Sequence, residues 1–277
     1  MKMQAFLPLV TYPDANSDAV AANAIAVTTF LDADLHATAF NADIPDVSNA
    51  LSRLLLDLPE LIREAEKQSS KRGDSLLAMV REQAAGKDVT LATDTSSAPI
   101  ALLGDAAATE ARYFDITLLG WEAGNPTSQA TAEAVIFGSG RPAILLPELT
   151  AVGPIGSIAI AWDGSRVAAR AVADARPLLE RAWKIYVLTV VDEKPLEKDS
   201  GERLAAGLRG RGLAAEAISI HAEDCPVGVS LQDHAIEHGA NLLVMGGYGH
   251  SRVRDFVLGG ATEDVLVDLR LPVLFSH

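Results

Sequence analysis

An alternation of strand-like and helix-like segments runs through the 277 residues and constrains this chain more than any other feature. The second half shows it most regularly. Ser157 to Trp162 reads as a strand, Val167 to Arg181 as a helix broken near Pro177, and Ile185 to Val191 as a second strand. Glu202 to Arg211 is a short amphipathic helix, and Ala215 to Ile220 a third strand. Val227 to His238 is a helix that Gly239 ends, and Asn241 to Met245 a fourth strand. Thr262 to Leu269 reads as a helix and Pro272 to Phe275 as the last strand. Ile185 to Val191 is apolar and β-branched almost throughout, the pattern of a strand buried on both faces. This spacing predicts an α/β fold, a mostly parallel sheet with helices on both faces.

The first half follows the same grammar. Ala5 to Val10 is a strand, Pro13, Asp14 and Asn16 form a turn, and Asp18 to Thr29 is helical in composition. Its end repeats the end of the second half. Asp115 to Gly120 resembles Ala240 to Gly246, Glu133 to Phe137 resembles Asp264 to Val267, and Arg141 to Pro147 resembles Arg270 to Phe275. The fragments occur in the same order, which predicts an internal duplication with a period of about 140 residues. Pro and Gly cluster between Glu148 and Gly156, so the expected domains are 1–150 and 151–277. Glu60 to Gly73 is charge-rich and reads as a solvated helical face.

Composition excludes several classes of function. Lys and Arg number 23 against 37 Asp and Glu, a net charge of −14. Such a chain repels phosphate backbones, and no basic stripe is interleaved with aromatics, so nucleic acid is not an expected partner. Cys225 is the single cysteine, which rules out a disulfide framework and makes a cytoplasmic location the expectation. No run approaches the roughly 20 apolar residues of a membrane span. The start reads as a first strand and not as a signal peptide. Alanine is the commonest residue in the 49% hydrophobic share, and it favours helices.

The sharpest local signal is Gly246-Gly247-Tyr248-Gly249-His250-Ser251-Arg252, followed by Gly259-Gly260-Ala261-Thr262. Glycines there permit positive φ and close approach of a ligand to the backbone. Successive N–H groups in such turns, and those at the start of the Thr262 helix, suit phosphate oxygens. The alternative is that these glycines only form tight loops. The run is neither a Rossmann fingerprint nor a P-loop. Asp163 ends the first strand of the second half, where a carboxylate would accept from a ribose hydroxyl or position a metal on phosphates. Its alternative role is an Asp–Gly turn residue satisfying its own backbone. Val190 offers backbone groups and a side chain to an adenine ring.

Other residues carry less. His234-Ala235-Ile236-Glu237-His238 matches an inverted zinc-protease pattern, but no third ligand motif accompanies it, and the segment reads as a packing helix with a glycine cap. Cys225, before Pro226, has no Cys–His partner pattern. His36, His221 and His277 have no supporting constellation, and Trp121, Trp162 and Trp183 read as core or loop packing, with Trp162 beside the expected ligand.

On these residues the second half resembles a universal stress protein domain, over roughly residues 154 to 277. That family's ATP-binding signature is Gly-x-x-Gly, nine residues, then Gly-Ser/Thr. Gly246 and Gly249 fit its first part, the nine residues His250 to Leu258 intervene, and Gly259 falls in register. The departure is Gly260, where nucleotide-binding members carry a hydroxyl; Thr262 stands two residues later. Asp163-Gly164-Ser165, after Ala161 and Trp162, resembles the family's nucleoside-contacting turn. Thr189 to Asp192 resembles its adenine-reading strand, with Val190 at the contact. Met245 and Gly246 resemble residues under the ribose, Tyr248 and Gly249 lie in the phosphate loop, and Gly259, Gly260 and Ala261 lie at its far side.

The resemblance implies two tandem domains of the adenine nucleotide alpha hydrolase-like type, each a mostly parallel five-stranded sheet. The first half looks like a diverged copy. Gly120-Trp121-Glu122-Ala123-Gly124 lacks the glycine spacing, no Asp-Gly-Ser follows Phe6 to Thr11, and Glu122 adds negative charge. No ordinary ATP site is expected there. The resemblance also implies that the last strands pair, Ala143 to Leu146 with Val273 to Leu274, making the monomer a pseudo-dimer; a further homodimer is compatible with it.

Three functional readings stay open on the sequence. The first is a stress-response regulatory protein that binds ATP or AMP in the second domain, with Mg²⁺ on the phosphates, and biases a protein partner. Without a well-placed general base or a metal-binding carboxylate pair, efficient catalysis is not implied, and at most slow ATP hydrolysis is expected. The second is a scaffold that binds no nucleotide, with Gly260 marking the weakened site. The third is an enzyme on this fold.

Overall fold

The computed structural model describes residues 2–45, 58–192, 196–197, 199–222, 224–247 and 260–277. Five strands come from the first half: β1 (Gln4–Val10), β2 (Asp34–Asp43), β3 (Leu91–Pro99), β4 (Ile116–Trp121) and β5 (Ala143–Pro147). Five come from the second: β6 (Ser157–Ala161), β7 (Lys184–Val190), β8 (Ala215–Ile220), β9 (Leu242–Gly246) and β10 (Val273–Ser276). They form one ten-stranded sheet in the order β3-β2-β1-β4-β5-β10-β9-β6-β7-β8. Each half therefore has the strand order 3-2-1-4-5, and the two are joined edge to edge. Every pairing is parallel except β5 with β10, where Ile144 lies opposite Leu274 and Leu145 opposite Val273. Those are the last strands of the two halves, as the tandem resemblance implied, and the seam covers one exposed edge of each.

The two-residue period of the strands fills both faces. Leu7, Leu9, Ile158, Ile160, Val244 and Leu274 belong to one core layer. Phe6, Ala159, Leu243, Met245, Val273 and Phe275 belong to the other. On the first face lie α1 (Ala19–Leu31), α2 (Leu58–Ala84), α5 (Arg166–Asp174), α6 (Arg176–Leu179) and α7 (Ser200–Arg209). On the second lie α3 (Leu103–Ala111), α4 (Pro126–Gly138), α8 (Val227–Glu237) and α9 (Gly260–Val267). Alanine makes this close layering workable: Ala21, Ala24, Ala107, Ala132, Ala171, Ala205 and Ala235 are all buried.

Local chemistry sets the helix boundaries. Asn125 caps α4 by accepting from Thr127 N at 3.1 Å and Ser128 N at 2.9 Å, with Pro126 next, where a missing N–H costs nothing. Ser165 caps α5 through Ala168 N at 3.1 Å. The expected break near Pro177 falls at Ala175, and Pro177 sits in the first turn of α6. The charge-rich Glu60 to Gly73 segment lies in α2 and presents a largely exposed face, with Ser69 and Gly73 buried on the other side. Gly73 lies so close to Asn41, Ala39 and Thr11 that a Cβ would crowd all three.

The halves are fastened beyond the seam. Trp121, buried, donates from Nε1 to Leu266 O at 2.9 Å across the pseudo-dyad. Asn23 of α1 holds the connecting segment. Its Nδ2 donates to Pro147 O at 2.7 Å and Thr150 O at 2.9 Å, and its Oδ1 accepts from Val152 N at 2.8 Å.

On α4, burial pushes the Glu133 carboxyl up from 4.5 to about 7. The folded chain keeps this proton at pH values where the unfolded chain has released it. Its contribution to stability is therefore present at low pH and is lost as pH rises through that window. Glu133→Gln has no proton to lose. Melting curves between about pH 5 and pH 8 should show a shallower fall for the variant than for the parent. Identical slopes would refute this assignment.

Candidate functional site

Strand order places the expected elements together. Because β6 lies between β7 and β9, the Asp163 turn, Val190 and the Met245–Gly246 pair end side by side at the carboxyl edge of the second half. That is the edge at which parallel α/β sheets bind ligands. Tyr248, Gly249 and Gly259 lie outside the described residues.

The sheet divides the remaining residues between its two faces. Ala161 and Val190 are half-buried and Met245 is buried, and all three pack on the face that carries α9. Gly260, Ala261 and Thr262 form the first turn of α9 on that same side, with Gly260 exposed and Thr262 buried. Gly260 has φ +31°, and a Cβ there would meet nothing among the described residues within 4 Å. Glycine at this position thus answers to backbone conformation.

Trp162 packs on the opposite face and donates from Nε1 to Ser200 Oγ at 2.9 Å, tying the end of β6 to the start of α7. Beside it a hollow of about 540 Å³ is framed by Trp162, Asp163, Gly164, Glu197, Ser200 and Arg203. That volume lies in the range of small-molecule sites. Arg203 pairs with Glu197 at 2.6 Å on its rim. A larger hollow of about 790 Å³ opens between α5, α6 and α7, and of the expected residues it touches Trp162 alone. Val190, Met245 and Gly246 line neither hollow.

Two of the expected residues have partners within the chain. Asp163 is exposed, and its Oδ1 accepts from Ser165 N at 2.9 Å, with Gly164 at φ +70°. It therefore builds its own turn, which aims the Ser165 cap and α5. At Gly246 the close approach is made by the chain itself. A Cβ there would lie 2.6 Å from both Ala168 N and Val167 C, so the first turn of α5 rests on this glycine. A related contact sets α9: a Cβ on Gly228 would lie 2.6 Å from Asp264 Cβ and 2.7 Å from Val265 N. Asp264 also accepts from Gly228 N at 3.1 Å, which caps α8.

Of the remaining histidines, His277 reaches the end of β9, with its Nδ1 3.3 Å from Gly247 O. His238 Nδ1 lies 2.8 Å from His234 O on its own helix. Among the described residues no group of three His, Cys, Asp or Glu side chains gathers to hold a metal ion. Cys225 is exposed. Trp183 is not a core residue, since 69% of it is exposed; its indole lies over Gly156.

The first half carries a feature that its sequence did not announce. Glu148, just past β5, is 3% exposed. Its carboxylate accepts from Ser17 N and from Asn16 Nδ2, and Ser17 Oγ donates to Glu148 O at 3.1 Å. A Cβ on Gly120 would overlap Glu148 Oε1. Burial pushes the Glu148 carboxyl upward; the Ser17 and Asn16 hydrogen bonds pull it down, and the Glu122 charge adds to the upward push. Thr11 follows β1 as Trp162 follows β6, and its Oγ1 lies 2.7 Å from Ser69 Oγ on α2. The position that holds Asp163 in the second half is Tyr12 in the first.

Comparison with known proteins agrees with the architecture. The model of the universal stress protein family matches residues 154–277. Universal stress protein Slr1230 of Synechocystis sp. is 40% identical over 82 residues, which is 30% of this chain and 23% of that protein. The chain thus matches less than a quarter of that relative's length. A universal stress protein from Archaeoglobus fulgidus superposes with a TM-score of 0.71 at 15% identity, over 98% of this chain and 95% of its own. A protein of unknown function from Pseudomonas aeruginosa gives 0.54 at 16% identity, over 99% and 92%. Among the described residues no helix is long and apolar enough to cross a membrane. Residues 154–277 thus match the universal stress protein family, and the first half repeats the strand order of that region.

Proposed function

We propose that this protein binds an adenine nucleotide, ATP or AMP, at the carboxyl edge of β6, β7 and β9, and that occupancy acts as a signal in a stress response. The observation that carries the reading is the convergence of Asp163, Val190, Met245 and the first turn of α9 at one sheet edge. Ala161, Val190 and Met245 offer an apolar wall to the base, the exposed Asp163 carboxylate an acceptor to the ribose, and the N–H groups of α9 a seat for phosphate. Mg²⁺ would arrive on the phosphates, since the described side chains build no cage for it. The role in this reading is binding and response.

Calorimetry with ATP and AMP, with and without Mg²⁺, tests the reading. Absence of binding at millimolar nucleotide would sink it. A sharper test is Asp163→Asn, which keeps an oxygen for Ser165 N and removes the charge. It should leave the melting temperature unchanged and weaken nucleotide binding about tenfold or more. Equal affinity of parent and variant would remove Asp163 from the site. The scaffold alternative rests on Gly246, whose open side is filled by α5; it requires that neither nucleotide bind.

A further inference from the structure

The first half contains a buried carboxylate, Glu148, just past β5. At its carboxyl edge, the loop after β1 and the end of β4 meet as their counterparts do in the second half. Gly120 pairs with Leu146 just as Gly246 pairs with Ser276. The occupant of the space beside the glycine differs. In the second half it is the backbone of Val167 and Ala168; in the first it is Glu148 Oε1 and Asn16 Nδ2. Three observations make this space specific for an anion. The Glu148 carboxylate is almost wholly removed from solvent. Both of its oxygens accept hydrogen bonds, one from the Ser17 backbone and one from Asn16, itself 3% exposed. Asn16 is locked as a donor, because its Oδ1 already accepts from Val10 N at 2.7 Å. An ionised carboxylate satisfies both donors; a neutral amide turns an N–H toward one of them.

We propose that the loops at the ends of β1 and β4 form an anion seat, and that the chain fills it with its own Glu148. The connecting segment thereby supplies an internal ligand that closes the first half to external carboxylate or phosphate. This does not rest on nucleotide binding in the second half, because its test uses the nucleotide-free chain.

Glu148→Ala empties the seat. Its melting temperature should fall by about 6–12 °C, since two buried donors lose their partner. Formate, acetate or inorganic phosphate should then restore part of that loss saturably, relative to chloride at equal ionic strength. The parent should show no such anion-specific gain. Glu148→Gln keeps the size and removes the charge. It should melt below the parent and not respond to formate, because the seat is still filled. If Glu148→Ala is unfolded in chloride, formate should return its far-UV circular dichroism toward that of the parent. The proposal is overturned if every anion acts on Glu148→Ala as chloride does, or if Glu148→Gln is as stable as the parent.

Discussion

Gly246→Ala is expected to destabilise the protein by about 3 kcal/mol, which lowers the melting temperature by roughly 6–12 °C. The added Cβ would lie 2.6 Å from Ala168 N, 2.6 Å from Val167 C and 2.8 Å from Val167 Cγ2. Two of these atoms are backbone, held in the first turn of α5 by the Ser165 cap, so no rotamer change relieves the clash. Either α5 lifts from the sheet or the end of β9 bends, and both expose apolar surface at Ala171 and Val244. Gly247→Ala is the control. Its Cβ would meet nothing closer than Phe275 Cδ1 at 3.5 Å, and its cost should stay near 1 kcal/mol. Thermal unfolding of the two variants decides the matter. If both melt together, Gly246 is not the seat of α5.

Asn23→Ala should cost more still, about 3–5 kcal/mol. The side chain is 1% exposed and serves three backbone groups of the connecting segment, those of Pro147, Thr150 and Val152. Alanine leaves two carbonyls and one N–H without their partner, and it leaves a small void under the segment that joins the halves. Asn125→Ala sets the scale: it removes a helix cap at about 1 kcal/mol. Urea midpoints for the two variants, with limited proteolysis between residues 149 and 156, provide the test. A loss no larger than that of Asn125→Ala, with no new cleavage, would mean that Asn23 does not fasten the segment.

Much of the fold was legible because strands buried on both faces write themselves as apolar runs. Asn241 to Met245 and Ile185 to Val191 each fall one residue from β9 and β7. Less was readable between residues 34 and 99. There β3, Leu91 to Pro99, is an edge strand that mixes Thr, Ser and Asp with its apolar positions. The candidate site divides in the same way. Asp163, Gly164 and Ser165 could be read in sequence because turn and cap chemistry is local, within three residues. Glu148 could not. It meets Asn16 and Ser17 from more than a hundred residues away, and its own neighbourhood reads as a linker.

The sequence by itself determined the alternation, the duplication and the second half's likeness to one family, because each depends on residues close together in the chain. Tertiary structure alone decided what stands beside each glycine. At Gly246 it is a helix turn, at Gly120 a carboxylate, and at Gly260 no atom of the described residues. Glycine records only that a side chain is absent. Whether its place is taken by the chain or left to a ligand is set by packing between segments that the sequence does not juxtapose.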